Sequence, residues 1–516
     1  MHLASLNNSV NRRDFLTAGI AAVPTFGIVR QSRPQIPAGI QIGDPLHDRA
    51  IIWTRSDRTS RLVVEYATTD SFVNSRRIRG PLATSASDFT SRVDLRDLPA
   101  GQRIFVRAMY EDESGRLSSE PVTGSFVTPS TTPRDIRFLW SADTVGQGYG
   151  INPDLGGMRI YETMRQMRPD FFIHSGDTIY ADNPLSPELT LADGTKWRNL
   201  TTDAKSKVAE TLDEFRGCYR YNLLDENLRR FNSEVPQIWQ WDDHEVLNNW
   251  SPGRDLLDND SYKVKDIGTL AQRARQAFLE YSPLRFTSTR PRIYRRIPYG
   301  PLLDVFVIDL RTYRAANNYN RQEREDHDTA FMGRSQLQWL QKDLKNSRAI
   351  WKVIASDMPL GVTVTDGLDA QQRMRYENVA NGNGPALGRE LELARLLSYM
   401  KRNRVRNVVW LTGDVHYTAA HYYDPEKAQF QDFDPFWEFI SGPLNAGTFG
   451  PNAPDDTFGI QVIYQKTRPD PQADNSPKAG LQFFGEVFIE AESAALTVNL
   501  RDMTGARLFS QVLPSM

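Results

Sequence analysis

Two regions follow one another along the chain, and they differ in the spacing of their apolar residues. Between residues 39 and 128, short runs of alternating apolar and polar residues are separated by turn-forming stretches such as 97–102. Strands at this spacing are typical of an antiparallel sandwich of roughly a hundred residues. The first region is therefore predicted to be a small all-β domain.

After a linker rich in Pro, Ser and Thr at residues 128–134, strand patterns alternate with helix patterns. Apolar residues spaced three to four apart predict helices at 158–167, 207–216, 270–279, 336–344 and 390–400. This alternation favours a layered α/β fold. Past His416 the helix patterns stop, and apolar runs at 436–441, 485–491 and 495–501 predict strands that close the fold.

Five apolar runs of the second region end abruptly in an acid. The residues at these endings are Asp143, Asp177, Asp243 with His244, Asp357, and Asp414 with His416. In an open α/β sheet, ligands lie in the crevice beyond the carboxyl ends of the strands, so these groups are predicted to converge. Because converging carboxylates repel one another, the pattern indicates a bound metal.

The residue types at these endings suit particular roles. Asp177, in the segment GDTIYAD, has two oxygens that can bridge two cations, and Tyr180 follows at a distance suited to a phenolate ligand. An oxygen-rich site with a tyrosinate fits a hard ion such as Fe(III). In the segment WDDHEVLNNW either Asp242 or Asp243 is a candidate ligand, and His244 beside them can donate a proton to a leaving alkoxide.

Composition excludes some classes of function. The 516 residues suggest two domains, and 62 Lys and Arg against 64 Asp and Glu give a net charge of -2. No global electrostatic attraction to nucleic acid or anionic membrane follows from this balance, so no nucleic-acid partner is required. The single cysteine, Cys218, excludes an intrachain disulfide and a thiolate metal cluster and is expected to be a buried structural thiol.

The N-terminus carries an arginine pair, Arg12 and Arg13, before Phe15, Leu16 and a short apolar stretch. This pattern resembles a twin-arginine export signal, and the alternative is a chance arginine pair in a tail. No other segment approaches the length of a membrane span. The predicted organisation is a signal peptide at 1–35, a β-sandwich domain at 36–130 and a catalytic domain at 131–516.

Together, the segments GDTIYAD (176–182), WDDHEVLNNW (241–250) and GDVHYTAAH (413–421) resemble those of the PhoD-type alkaline phosphatases, a branch of the calcineurin-like metallophosphoesterases. The resemblance extends over the mature chain and the export signal. It implies a four-layer α/β sandwich preceded by a small fibronectin III or immunoglobulin-like all-β domain.

The resemblance also implies roles for individual residues. Asp177 would be the metal-bridging carboxylate and Tyr180 the phenolate ligand of an iron. Asp243 would bind the second metal, and His244 would act on the phosphate or the leaving group. Asp357 takes the place where related phosphoesterases often have a histidine ligand.

Three further positions complete the implied site. Asp414 and His416 would be the remaining groups around the metal ions. Arg311 falls near a family motif and would grip phosphate with two hydrogen bonds, although a surface or sheet-edge arginine is an equal alternative.

One position departs from the family pattern. PhoD enzymes commonly place a cysteine ligand after the first strand, and Asp143 stands there in this chain. With Tyr180 it forms a set similar to that of the purple acid phosphatases. Two or more metal ions are expected, Fe(III) and Ca(II) by resemblance, with Mn(II), Mg(II) or Zn(II) as alternatives, because a carboxylate makes the site harder than a thiolate does.

The predicted function is metal-dependent hydrolysis of phosphate monoesters and diesters by an activated water, without a covalent phosphoenzyme. A phosphodiesterase or phospholipase D-like enzyme acting on lipid or teichoic-acid phosphodiesters is one alternative. A secreted binding protein with a structural cation is another. The expected partners are phosphate esters and the twin-arginine translocase, and the expected location is periplasmic or extracellular.

Overall fold

Strands and helices alternate along most of the chain in the computed structural model, which describes residues 32–286 and 291–516. The strands of the first region are β1 (Ile40–Leu46), β2 (Arg49–Arg55), β3 (Ser60–Ala67), β4 (Arg76–Ala83), β5 (Thr90–Leu95), β6 (Arg103–Glu111) and β7 (Val122–Val127). The next strands are β8 (Ile136–Ser141), β9 (Phe171–Ser175), β10 (Glu188–Thr190), β11 (Lys196–Arg198), β12 (Gln237–Gln240), β13 (Arg295–Pro298), β14 (Leu303–Val307) and β15 (Trp351–Ala355).

The last part of the chain is mainly strands, and six α-helices are described in all. The remaining strands are β16 (Thr365–Leu368), β17 (Met374–Tyr376), β18 (Val408–Thr412), β19 (Thr418–Tyr423), β20 (Phe436–Ile440), β21 (Ile460–Lys466), β22 (Phe483–Ile489), β23 (Leu496–Asp502) and β24 (Arg507–Leu513). The helices are α1 (Arg159–Gln166), α2 (Leu212–Asn222), α3 (Glu226–Glu234), α4 (Ile267–Tyr281), α5 (Arg334–Asn346) and α6 (Glu390–Arg402).

Two large sheets lie face to face at the centre. One has the strand order β24-β23-β22-β8-β9-β12-β1-β2-β5, and the other has the order β13-β14-β15-β18-β20-β19-β21. The neighbours β8, β9 and β12 are parallel, as are β14, β15, β18 and β20. The strand ends that carry the predicted site therefore lie along one edge of each sheet.

The central strands are buried on both faces, which explains their nearly continuous apolar sequences. In β8, Phe138 and Trp140 contribute to the core between the sheets, whereas Leu139 packs on the helical side with residues of α1 and α3. In β18, Leu411 contributes to the same central core and Trp410 packs with residues of α5 and α6. Helix, sheet, sheet and helix form four layers, as predicted.

The N-terminal sandwich shares a sheet with this core. Its four-stranded sheet has the order β4-β3-β6-β7, and its other strands, β1, β2 and β5, extend the nine-stranded sheet through the parallel pairing of β1 with β12. Gly43 of β1 pairs with Gln237 of β12 and also lets the chain after α4 lie close to β1, because a side chain at 43 would overlap the carbonyl of Pro283. The all-β first region was predicted, but its continuity with the central sheet was not.

Most predicted elements are confirmed, with one shift. The segment predicted as a helix at 207–216 becomes helical only at Leu212, because the side chains of Thr211 and Glu214 form a capping box there. Cys218 is buried within that helix, as expected.

Two predictions concern the membrane and export. No helix within residues 32–286 and 291–516 is long and apolar enough to span a bilayer. The predicted export signal lies outside the described residues.

Candidate metal centre

All five acidic strand endings meet between the carboxyl ends of the two sheets. Asp143 follows β8, Asp177 follows β9, Asp243 follows β12 and Asp357 follows β15, while Asp414 and His416 follow β18. Asp143, Asp177, Asp414 and His416 have φ values of 69°, 51°, 70° and 58°, in the left-handed region that non-glycine residues seldom adopt. Such conformations cost roughly 1–3 kcal/mol each and cluster at functional sites, because the surrounding structure enforces them.

A first group of ligand atoms comes from Asp143, Asp177 and His416, whose atoms lie within 4.8 Å of one another. His416 Nε2 is 3.7 Å from Asp143 Oδ1 and 2.8 Å from the hydroxyl of Tyr180. Since His416 Nδ1 lies 2.6 Å from the carbonyl oxygen of Gly447, Nδ1 carries the proton and Nε2 presents its lone pair to the group. Burial lowers the pKa of His416 to about 4, which keeps the imidazole neutral.

A second group shares Asp177 with the first. Ligand atoms of Asp177, Asp243 and His244 lie within 4.8 Å of one another, and so do those of Asp242, Asp243 and Asp414. The backbone N–H of His244 donates to Asp177 Oδ1 at 3.1 Å. Asp177 therefore lies where a bridging carboxylate is expected.

The carboxylates outnumber the positive side chains near them, and several of their oxygens have no hydrogen-bond partner. Both oxygens of Asp143 and of Asp357, and one each of Asp242 and Asp243, have no hydrogen-bond partner in the described protein. Burial, with the charge of Asp242, raises the pKa of Asp143, Asp357 and Asp414 well above the ordinary aspartate value. Burial and the charge of Asp243 do the same for the pKa of Asp177. The oxygen-rich donor set therefore fits bound cations, whose charge would relieve this repulsion.

Arg311 lies inside the acidic cluster rather than at its mouth. Its side chain is 0% exposed, so the surface alternative is wrong. The guanidinium lies 2.5 Å from Asp242, 3.4 Å from Asp357 and 3.5 Å from Asp414, and it also pairs with Glu377. These contacts make Arg311 an internal counter-charge and correct the expectation of an arginine free to grip phosphate.

Asp357 lies beside Arg311, but it belongs to none of the three-residue groups of converging ligand atoms. Its role as a metal ligand stays a prediction.

His244 is held by a neighbour that the sequence did not single out. Its Nδ1 lies 2.7 Å from Asp182 Oδ1, and its ring lies against the ring of Tyr180 with 4.2 Å between centroids. Burial opposes protonation, but Asp182 and Asp243 outweigh it and raise the pKa of His244 to about 9. In the metal-free protein these neighbours therefore favour the protonated form of His244. Asp182 stands in the same GDTIYAD segment, which was the available signal.

Other contributors come from distant parts of the chain. Glu245 accepts hydrogen bonds from the backbone and hydroxyl of Thr178, and so ties the turn after β12 to the turn after β9. The loop after β20 supplies Gly447 and Gly442, and a side chain at 442 would overlap a carboxylate oxygen of Asp143. No acid follows β20 directly, so the pattern of acidic endings gave no signal for this loop.

Comparison with known proteins identifies the family. The sequence model of the PhoD-like phosphatase family matches residues 138–500, which is more than half of the chain. The chain belongs to the PhoD-like phosphatase family. The model of the PhoD-like N-terminal domain matches residues 21–130. The resemblance that the motifs indicated is thus confirmed.

Individual relatives agree with the family. Alkaline phosphatase D of Bacillus subtilis (strain 168) is 25% identical over 493 residues, covering 88% of this chain and 79% of that protein. A solved structure of PhoD superimposes with a TM-score of 0.69 at 21% identity, covering 94% of this chain and 90% of that chain. A purple acid phosphatase from yellow lupin seeds shares the fold, with a TM-score of 0.56 at 12% identity over 93% of this chain and 74% of that chain.

Membership in the PhoD-like family, together with the convergent acids and histidines, makes this protein a metal-dependent phosphoric ester hydrolase. Asp143, which stands where a cysteine ligand was expected from the resemblance, lies with Asp177 and His416 in the first ligand group.

Proposed function

We propose that this PhoD-like protein is an alkaline phosphatase that cleaves phosphate monoesters and also accepts diesters. One observation supports this most directly: Asp177 belongs to two different groups of converging ligand atoms. A carboxylate shared in this way is the arrangement that a two-metal phosphoesterase requires.

In this proposal the first cation is held by Asp143, Asp177, Tyr180 and His416. The second is held by Asp177 and Asp243, with Asp357 and Asp414 as further ligands. Fe(III) suits the first position because a phenolate and carboxylates are hard donors, and Ca(II) suits the second. Mn(II), Mg(II) and Zn(II) are alternatives. When bound, such cations polarise the phosphoryl group and make water a better nucleophile at neutral pH.

The protein's own groups then have distinct tasks. Burial and Asp177 raise the pKa of Tyr180 well above its ordinary value, so its ionisation depends on a neighbouring cation. His244, protonated and oriented by Asp182, donates a proton to the departing alkoxide. Arg311 neutralises part of the acidic cluster and so keeps Asp242 in place.

The test combines metal analysis with kinetics on a monoester and a diester. Asp177→Asn is expected to lose at least one metal equivalent and nearly all activity on both esters, because it removes the shared ligand. His244→Ala is expected to lower kcat by about 10²–10⁴-fold on esters with a poor leaving group, and by much less on a nitrophenyl ester.

The control is Asp328→Asn, which alters an exposed acid in the separate group of Asp326, His327 and Asp328. It should keep both metal content and activity. If Asp177→Asn kept its full metal content and activity, the bridging role would be wrong. If His244→Ala slowed all esters equally, the proton-donor role would be wrong.

We also propose export through the twin-arginine pathway to the periplasm or the extracellular space. The arginine pair Arg12 and Arg13 in its Phe-Leu context supports this. Changing both arginines to lysine should leave the precursor in the cytoplasm on cell fractionation, and unchanged export of that variant would refute the proposal.

A further inference from the structure

An exposed aromatic side chain stands directly beside the metal centre. Phe449 is 38% exposed, and its ring lies against the imidazole of His416 with 5.1 Å between centroids and 39° between planes. The residues before it, from Ser441 to Thr448, are buried, and an exposed segment begins with Phe449 itself. A single exposed apolar ring is ordinary at a protein surface, but the contact with His416 places this one beside the candidate metal centre.

The backbone holds Phe449 at the rim. Its N–H donates to the carbonyl of His416 at 3.1 Å, and its own carbonyl accepts from the N–H of Arg468 at 3.3 Å. The next residue, Gly450, has a φ of 82° and passes so close to Tyr417 that a side chain would overlap that ring. The chain thus turns away behind Phe449, and the ring is kept at the surface.

Phe449 is not needed to orient the imidazole of His416. The imidazole already has a partner at each nitrogen, since Nδ1 contacts the carbonyl of Gly447 and Nε2 contacts the hydroxyl of Tyr180. A small residue at 449 would leave both contacts intact. The exposed face of the Phe449 ring is therefore free to contact a bound molecule.

The groups around the candidate metal ligands differ in polarity. Beyond Phe449, Gly450 lies on Tyr417, which belongs to an apolar cluster with Val362, Val415 and the half-buried Val364. Half-buried polar groups also lie near the candidate ligands. Asn249 donates to Asp243, and Gln147 bonds to both Asn183 and Gly447. Apart from these polar groups, the exposed ring of Phe449 offers apolar surface directly beside a candidate ligand, His416.

We propose that Phe449 is a specificity-determining residue that stacks against the organic part of the substrate, so that the enzyme favours esters of flat aromatic alcohols over esters of polyols. The inference rests on the proposed phosphatase function and adds the class of leaving group. Aromatic rings gain attraction from offset or edge-to-face contact beyond the burial of area, and a polyol offers no such face.

The experiment compares phenyl phosphate with glycerol 2-phosphate in the metal-loaded enzyme. Each variant is compared with the wild type on the same ester, so the different intrinsic reactivities of the two esters cancel. Phe449→Ala is expected to lower kcat/KM for phenyl phosphate about five- to tenfold, mainly through KM, while glycerol 2-phosphate stays within about twofold. Phe449→Trp is expected to keep the preference for phenyl phosphate.

Two measurements and one variant serve as controls. Metal content and inhibition by inorganic phosphate should be unchanged in Phe449→Ala, because phosphate alone does not reach the ring. Phe286→Ala removes another exposed phenylalanine, 41% exposed and stacked on Arg92 at the edge of the nine-stranded sheet. It should change neither rate.

Equal losses on both esters, or no loss on either, would overturn the proposal. If Phe449→Ala lost metal, Phe449→Leu would decide the matter, because leucine keeps apolar packing on His416 but has no aromatic face. A metal-loaded Phe449→Leu enzyme with the wild-type ratio of rates would overturn the proposal, and one with a lowered ratio would support it. A wild-type enzyme that cleaved neither ester would refute the phosphatase function itself, which is a distinct outcome.

Discussion

Buried acids at two places in this molecule, the metal centre and the junction between the N-terminal sandwich and the core, differ in the positive charge around them. At the metal centre, two cationic side chains, Arg311 and His244, lie among seven aspartates: Asp143, Asp177, Asp182, Asp242, Asp243, Asp357 and Asp414. At the junction between the N-terminal sandwich and the core, Asp88 contacts Arg55 at 2.9 Å and Arg220 at 2.5 Å.

The pKa of Asp88 and the pKa values of several acids at the metal centre shift in opposite directions. Asp243 is an exception at the metal centre: burial would raise its pKa, but the charges of His244 and Arg311 outweigh burial and lower it. Burial raises the pKa of Asp88, but hydrogen bonds from Arg55 and Tyr281 outweigh it, so the net shift is downward. At the metal centre, the pKa values of Asp143, Asp177 and Asp357 shift upward. Asp88, with its partners, stabilises the junction, whereas the partnerless acids of the metal centre indicate a place where an external positive charge can bind.

The largest expected difference concerns stability. Asp88→Asn should lower the free energy of unfolding by about 3 kcal/mol, because Arg55 and Arg220 would lose a buried partner. Asparagine tolerates the left-handed backbone at this position, where φ is 49°, so strain does not confuse the result. Chemical denaturation measures the change, and kcat should stay at the wild-type value. A variant of wild-type stability would show that the junction pair is dispensable.

Substitution of an acid at the metal centre is expected to change the free energy of unfolding by a smaller amount and with the opposite sign. In metal-free protein at pH 8, Asp357→Asn should raise the free energy of unfolding by about 1 kcal/mol, since a raised pKa means that ionisation opposes folding. The same denaturation experiment after chelation measures it, with the exposed Asp328→Asn as the control. A loss of stability comparable to that of Asp88→Asn would mean that the attraction between Arg311 and Asp357 outweighs the repulsion between Asp357 and the other acids.

The smallest effect is the pH dependence, which should differ in sign between the two places. The lowered pKa of Asp88 gives stability that is present above the ordinary aspartate pKa of about 4 and is lost as pH falls through the folded value. The raised pKa of Asp357 means that the metal-free folded state retains a proton that the unfolded chain releases, so stability falls as pH rises above about 4. In metal-free protein, the plot of the free energy of unfolding against pH should therefore be flatter than in the wild type below about pH 4 for Asp88→Asn, and above about pH 4 for Asp357→Asn. A change on the same side in both variants would contradict the comparison.

Much of the fold follows from local patterns. Strands such as β8 and β18 were recognisable because both of their faces are buried, which makes their sequences almost continuously apolar. The start of α2 depends on the capping box of Thr211 and Glu214, which the apolar spacing alone did not reveal. The pairing of β1 with β12 was not predictable, because strands distant in sequence carry no signal of their pairing.

The sequence by itself determined that acids end the parallel strands, and therefore that Asp143, Asp177, Asp243, Asp357 and Asp414 meet at one edge. Strand direction and side-chain chemistry are local properties, and parallel strands bring their ends together in any open α/β sheet. Only the tertiary structure decided which partner each group has. Arg311 became an internal counter-charge, Asp182 came to hold His244, and Phe449 was left exposed beside His416, because contacts between separate loops depend on the packing of the whole chain.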